Sequence, residues 1–448
     1  MEFNRSILNS KNTLLIWGGL SMVLYALWAY DLARFEHFKL LTVFSVLFGC
    51  YYLILKQLKI KEQQLTYLAI GLRLVFLLAI PNLSQDFYRF IWDGRLILSG
   101  LNPYLTTPND LIISDPNLFP QMKTLFDGMG ALSAGHYSNY PPIHQLPFII
   151  AAILSKHSIL GSVVVLRLLL IGADLGILFY GKKLLRKLKL PTRNIYWFIL
   201  NPLVIIELTG NLHFEGLMLF FFVMALYYVH TKKWHLAALT MALSIAVKLV
   251  PILSLPLFLN KLGWKKSVRF YLSIGGVFLL LFLPFFRDDF IENYSATIGL
   301  WFSKFEFNAS FYYLLDWGLK TTSNVELIHS MSIVVVSVLG LQISYQLIQN
   351  KTKTTALILT ILWVLSGYYF VSTTVHPWYI ISLLLLSIFT NYKFACVWSY
   401  TLIFSYFAYN QLSVDENGLI LCLEYLPVMG VLVWELWNQR VLRKLKHH

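Results

Sequence analysis

The sequence predicts an all-α polytopic membrane protein with about 11–14 transmembrane or half-spanning helices and amphipathic helices in its large loops. Three observations carry that prediction. Of the 448 residues, 57% are apolar and only 13% charged, with a mean hydropathy of +0.64, whereas a soluble domain carries about a quarter charged residues. Apolar stretches long enough to cross a bilayer recur from end to end. The 36 Lys and Arg outnumber the 22 Asp and Glu, for a formal charge of +14. Those bases gather in short segments between apolar runs, which is the pattern of cytoplasmic loops and not of a nucleic-acid surface. Membrane lipids are therefore the expected surroundings, and nucleic acid is not an expected partner.

In chain order the spans fall at 13–30, 38–55, 65–80, 161–181, 195–209, 216–230, 235–247, 250–260, 268–286, 328–349, 356–374, 377–390, 394–409 and 419–437, the shorter ones reading as half-spans. Basic segments lie at Arg5 to Lys11, Lys56 to Lys61, Lys182 to Arg193, Lys232 and Lys233, Lys261 to Arg269, Lys351 to Lys353, and Arg440 to Lys446. The number of spans between consecutive basic segments is even throughout, so all of them, and both termini, can be cytoplasmic. The same parity puts segment 82–141, the residues around His213, segment 287–327 and the turn at His376 together on the opposite side. Residues 1–448 thus read as a single integral membrane domain with two large extracytoplasmic loops. The first apolar run is not followed by a small-residue cleavage site, so a removable signal peptide is not expected. Cys50, Cys396 and Cys422 each lie in an apolar run and read as packing residues, with no disulfide framework. There is no low-complexity tract, heptad or fixed-period repeat.

Segment 82–141 is too long for a structureless connection and signals a functional element. Ser84 can cap a helix starting near Gln85, with Phe87, Phe90, Ile91, Gly94 and Leu98 on one face and Asp86, Arg89 and Asp93 on the other. Such a helix is expected to lie in the membrane surface with its polar face toward water or a cavity. Asp86 then has two readings: a first-turn carboxylate favoured by the helix dipole and paired with Arg89, or a general base for a hydroxyl nucleophile. Segment 287–327 interleaves Phe290, Tyr294, Trp301, Phe305 and Phe307 with polar residues in a similar way, and Asp288-Asp289 reads as a solvated loop start.

Further along, Pro202 breaks the run that leads to Glu207, which reads as a buried strut between helices. For Asn211, His213 and Glu215, structural and functional readings stand level, and two candidate ligands without a third make a weak metal signal. Lys248 is flanked by apolar sequence, where a lysine costs several kcal/mol unless paired or hydrated. It reads either as snorkelling or, with Pro251 and Pro256 nearby, as a cation in a cavity lined by a broken helix. Trp378 and Tyr379 fit an aromatic belt, while Pro377 holds His376 extended at a turn.

Taken together, Asp86-x-x-Arg89-x-x-Trp92-Asp93-Gly94, Gly100-x-Asn102-Pro-Tyr104, Tyr140-Pro-Pro142, Asn201-Pro202 with Asn211-x-His213, Lys248-x-x-Pro251 and His376-Pro-Trp-Tyr379 resemble a known pattern. The pattern is that of the polyprenyl-phosphate-mannose-dependent mannosyltransferases of the GT-C superfamily, especially bacterial α-mannosyltransferases that elongate lipid-anchored glycans, and the resemblance runs over residues 84 to 380.

This resemblance implies a multi-pass enzyme of the bacterial cytoplasmic membrane that takes a hexose from a polyprenyl-phosphate sugar to a glycolipid or glycan hydroxyl outside the cytoplasm. It implies inversion in one displacement, without metal or other cofactor. It assigns catalysis to Asp86, donor-phosphate binding to Arg89, Lys248 and His376, and substrate contacts to Trp92, Asp93, Tyr140, Asn211, His213, Glu215, Trp378 and Tyr379. One departure is Glu215, where relatives often carry the shorter Asp. Displacement at an anomeric carbon builds positive charge on the sugar and negative charge on the departing phosphate, which cations at the site would stabilise. A lipid-sugar transporter or flippase, and a glycan polymerase or ligase, are the competing classes. The first usually rests on internal repeats, and the second would not need the Asp86 segment.

Overall fold

The structure is a computed structural model that describes residues 10–287, 289–303, 305–322, 331–349, 352–410 and 413–445. Arg5, Asp288, Ser323, Lys351, Lys446 and parts of the corresponding segments lie outside the described residues, as does the side chain of Trp301. Within the described residues the chain is helical, and pairing between extended segments is confined to isolated bridges such as Phe307 with Thr374.

Among the described residues six helices are long and apolar enough to cross a membrane: Asn12–Asp31, His37–Lys56, Ile159–Lys187, Trp264–Phe285, Thr354–Val371 and Gly418–Gln439. The helix pair Pro202–Gly210 and Glu215–His230 is also apolar enough, but it bends by 114° at residues 211–214. Shorter apolar helices fill in between, among them Trp234–Val247, Val250–Leu262, Pro377–Ser387 and Phe394–Ala408. Proline marks two of the helix starts: Pro202 and Pro251 each sit at a first helical turn, where the missing N–H does no harm but continuation from the preceding helix does. The expected span 65–80 is shorter than the sequence suggests. Helix Glu62–Leu74 ends early, and Arg167 takes up the carbonyls of Leu77 (3.0 Å) and Ala79 (2.7 Å) beyond it.

Hydrogen bonds sort the loops into two ends of the bundle. At one end Glu62 takes Lys182 (2.8 Å) and Thr192 (2.7 Å), Arg193 reaches Ile60 O (2.6 Å), Asn260 reaches Leu347 O (3.0 Å), and His230 meets Thr354 (3.1 Å). These contacts gather five of the seven basic segments, those at Lys56 to Lys61, Lys182 to Arg193, Lys232 and Lys233, Lys261 to Arg269, and Lys351 to Lys353. At the other end Asn82 binds Leu32 O (2.7 Å), Asn102 binds Phe285 O (2.8 Å), Val375 N binds Phe307 O (2.8 Å), and His37 meets Tyr409 O (2.9 Å). Segments 82–141 and 287–327 and the turn at His376 thus share one end.

Helix Asp86–Leu98 corrects one expectation. Its polar face is not open to water, because Phe87 and residues 89–96 are all buried. Gly94 shows why: a Cβ there would stand 2.3 Å from the backbone oxygen of Phe148, so this helix packs backbone against backbone on Pro142–Ser155. The cysteines are free, and Cys50 is buried as expected, but Cys422 is exposed on the outer side of the last helix and packs nothing.

Candidate functional site

Asp86 opens its helix, and its backbone N–H donates to Ser84 Oγ at 3.3 Å. Its carboxylate is half-buried and makes no hydrogen bond or ion pair among the described residues. Burial raises its pKa to about 6; Lys248 and Arg34 oppose the rise, and Glu215 adds to it. An ionised group that is surrounded by protein yet unbonded has proton-accepting capacity to spare. The expected pairing with Arg89 is absent.

Arg89 instead turns to Asp93 at 2.7 Å and to the carbonyl of His136 at 3.0 Å. Asp93 accepts further bonds from Ser138 (2.6 Å) and Gln145 (3.3 Å). Arg89 and Asp93 are fully buried, and Trp92 is equally buried between Phe119 and Phe126. In this arrangement the polar and aromatic surfaces of these three tie residues 119–145 onto the helix.

Lys248 stands just past a helix end, in extended conformation after helix Trp234–Val247, and pairs with Glu215 at the first turn of helix Glu215–His230. The lysine side chain remains 21% exposed while the glutamate is 3% exposed, so the ammonium keeps some access to its surroundings. Tyr140 and Tyr379 both lie within electrostatic reach of Asp86 and Glu215.

His213 and His376 clasp Trp378. Ring centroids are 3.6 Å apart for His213 and 4.4 Å for His376, with interplanar angles of 19° and 12°. His376 lies in the link between helices, backed by Phe307 at 5.1 Å, and its Nδ1 has no hydrogen-bond partner. Burial, helped by Lys248, lowers its pKa to about 3. An imidazole with that pKa is uncharged near neutral pH. His213 faces Glu207 at 3.5 Å while Glu215 faces Lys248, so the two do not combine as metal ligands.

Glu207 behaves as the strut read from the sequence. It lies on a π-helical turn, Ile205–Gly210, and accepts from Tyr406 and from Asn211 (3.1 Å). Asn211 in turn accepts from the backbone of Leu83 at 3.4 Å, three residues before Asp86. Leu212, between Asn211 and His213, holds a φ of 63°, an uncommon conformation for a side chain of this kind and one that surrounding structure must enforce.

Sequence reasoning missed Arg34, Arg167 and Tyr406. Arg167 binds four carbonyls, including Thr209 O (2.8 Å) and Gly210 O (3.0 Å), with no carboxylate near it, and only the fold reveals that use. Arg34 carried a signal: it is a base in the short link between the first two spans, at the end where the charge rule expects few bases.

The family described as alpha-(1->6)-mannopyranosyltransferase, N-terminal domain, matches residues 9–262. Alpha-(1->6)-mannopyranosyltransferase A of Mycobacterium tuberculosis is 23% identical over 264 residues, which is 57% of this chain and 48% of that protein. Alpha-(1->6)-mannopyranosyltransferase B of Corynebacterium glutamicum is 26% identical over 154 residues, 34% of this chain and 24% of that protein. The match thus spans about half the length of the first relative and less of the second. No solved structure matches.

Proposed function

The chain belongs to the alpha-(1->6)-mannopyranosyltransferase family, and on that premise we propose that it transfers mannose from a polyprenyl-phosphate sugar to a hydroxyl of a glycolipid or glycan acceptor. The observation that carries this reading is the unbonded, half-buried Asp86 carboxylate beside the Lys248–Glu215 pair. It supplies a proton acceptor and a cation within one cleft, as displacement of a phosphate by an alcohol requires.

Asp86 takes the proton of the acceptor hydroxyl as its oxygen attacks the anomeric carbon. The bond from that carbon to the phosphate oxygen breaks on the opposite face, so the anomeric centre inverts and the electron pair leaves with the lipid phosphate. Lys248 stabilises the charge growing there, held in place by Glu215. His376, being neutral, contributes a hydrogen bond, and Trp378, Tyr140 and Tyr379 present aromatic surface and hydroxyls to the sugar. Asn211, Glu207 and Tyr406 position the start of the Asp86 helix. This assignment retains Asp86, Lys248 and His376 from the sequence reading and moves Arg89, Trp92 and Asp93 to supporting roles.

The reaction end of the bundle faces away from the cytoplasm in this proposal, with segments 82–141 and 287–327 outside and both termini inside. Support comes from the five basic segments that gather at the opposite end. Incubating purified protein with polyprenyl-phosphate mannose and lipid-anchored mannoside acceptors, with mass-spectrometric detection, tests the reading. Elongated product is expected. Transfer from a nucleotide sugar in place of the lipid donor would overturn it.

A further inference from the structure

The two cations that the cleft supplies beside Asp86 are not equivalent. Lys248 is already neutralised by Glu215, so that pair brings no net positive charge. Arg89 is turned away to Asp93, and His376 is uncharged at neutral pH. A lipid phosphate arriving next to the carboxylates of Asp86 and Glu215 would then meet net negative charge unless another cation faces it. Arg34 is that cation.

Arg34 lies in the link between helices Ser10–Asp31 and His37–Lys56. One guanidinium nitrogen donates to Leu83 O at 3.3 Å, which fixes the side chain beside the start of the Asp86 helix. The guanidinium stands 4.1 Å over the ring of Tyr409, an arrangement that favours a cation while leaving its edge open. Its charge is felt at Asp86. The acids of its own link are otherwise engaged: Lys39 pairs with Asp31 (3.1 Å) and Glu36 (3.5 Å), and Glu36 also accepts from Ala33 N (2.7 Å). Among the described residues Arg34 has no ion-pair partner, and its remaining N–H donors form a fork of the kind that fits phosphate oxygens.

The surroundings favour a lipid as the source of that phosphate. Phe38 is 86% exposed, Phe35 45% and Tyr30 56%, so bulky apolar side chains line the outside of the bundle next to Arg34. This is where an acyl or prenyl tail would lie while its head reached inward.

We propose that Arg34 receives the phosphate of the lipid-linked donor, with the tail passing over Phe35 and Phe38, and that Lys248 meets the bridging oxygen at the point of bond cleavage. The proposal rests on the functional reading above.

Equilibrium binding of a short-chain polyprenyl phosphate to the full chain in nanodiscs tests it, alongside the uncharged polyprenol and inorganic phosphate. For Arg34→Gln the affinity for polyprenyl phosphate should fall about tenfold or more, the scale of one lost charge-assisted contact, while polyprenol binding stays unchanged and so reports an intact fold. Arg34→Lys should recover part of the loss. Equal affinity in the wild type and Arg34→Gln would overturn the Arg34 assignment and leave the donor reading standing. Failure of the wild type to bind polyprenyl phosphate would overturn both. Competition by inorganic phosphate at the concentrations effective for the lipid would overturn the lipid as source.

Discussion

Lys248 and Glu215 form an ion pair between two helix ends, the extended residue after helix Trp234–Val247 and the first turn of helix Glu215–His230, and both charges act on Asp86. The pair therefore joins the bent helix pair to the loop helix that carries the proton acceptor. Local disruption of either end is expected to reach the chemistry.

Replacing Asp86 with Asn keeps the size of the side chain and removes the proton acceptor. Turnover should fall about 10²- to 10⁴-fold, the usual worth of a general base, with donor binding retained. Asp93→Asn should instead lower stability, since all its contacts are internal. Normal turnover by Asp86→Asn would remove it from the mechanism.

The raised pKa of Asp86 sets a pH dependence. A base must be deprotonated, so with a pKa of about 6 its active fraction is high above pH 6 and lost as the pH falls below it. kcat/KM should decline on the acid side with a midpoint near 6, about two units above an ordinary aspartate. A midpoint near 4 would contradict the burial-driven shift. His376 titrates too low to contribute to this limb.

Removing one partner of the Lys248–Glu215 pair leaves an uncompensated charge. Glu215 is 3% exposed, so Lys248→Met should destabilise the protein by about 3–5 kcal/mol, and the double change Lys248→Met with Glu215→Gln should recover much of that loss. Thermal unfolding in one detergent checks both. Additive losses would mean the pair is not coupled.

Gly94→Ala places a Cβ 2.3 Å from Phe148 O, a backbone atom that cannot turn aside. A loss of about 1–3 kcal/mol is expected for such overpacking. Gly275→Ala has nothing within 4 Å and serves as the control, expected to leave unfolding unchanged or slightly improved.

Asn109 is exposed on the loop that carries the helix cluster around Asp86. With the native cysteines replaced, a cysteine at Asn109 should react with an impermeant reagent in intact cells. Labelling only after lysis would reverse the proposed orientation.

Much of this architecture is legible in the chain itself. Apolar run lengths and the parity of basic segments determine a many-helix membrane protein and the set of loops that share an end, because the bilayer admits only helical spans of limited length and the basic residues sort between its faces. Prolines 202 and 251 mark two of the helix starts for an equally local reason, the missing N–H. The chemistry of individual charges is not local. Arg89 looked like the partner of Asp86 at three residues' distance and proved to be the partner of Asp93 at four, because Ser138 and Gln145 come in from a distant segment to complete that carboxylate. Arg34 was not singled out by the sequence reading, and only the fold sets it against Leu83 and Tyr409, which follow it by 49 and 375 residues in the sequence. Side-chain type and spacing thus determined the membrane-spanning frame and the candidate base. Only tertiary structure decided which charges are neutralised and which stay open, since ion pairs and burial depend on segments that meet in space and not in sequence.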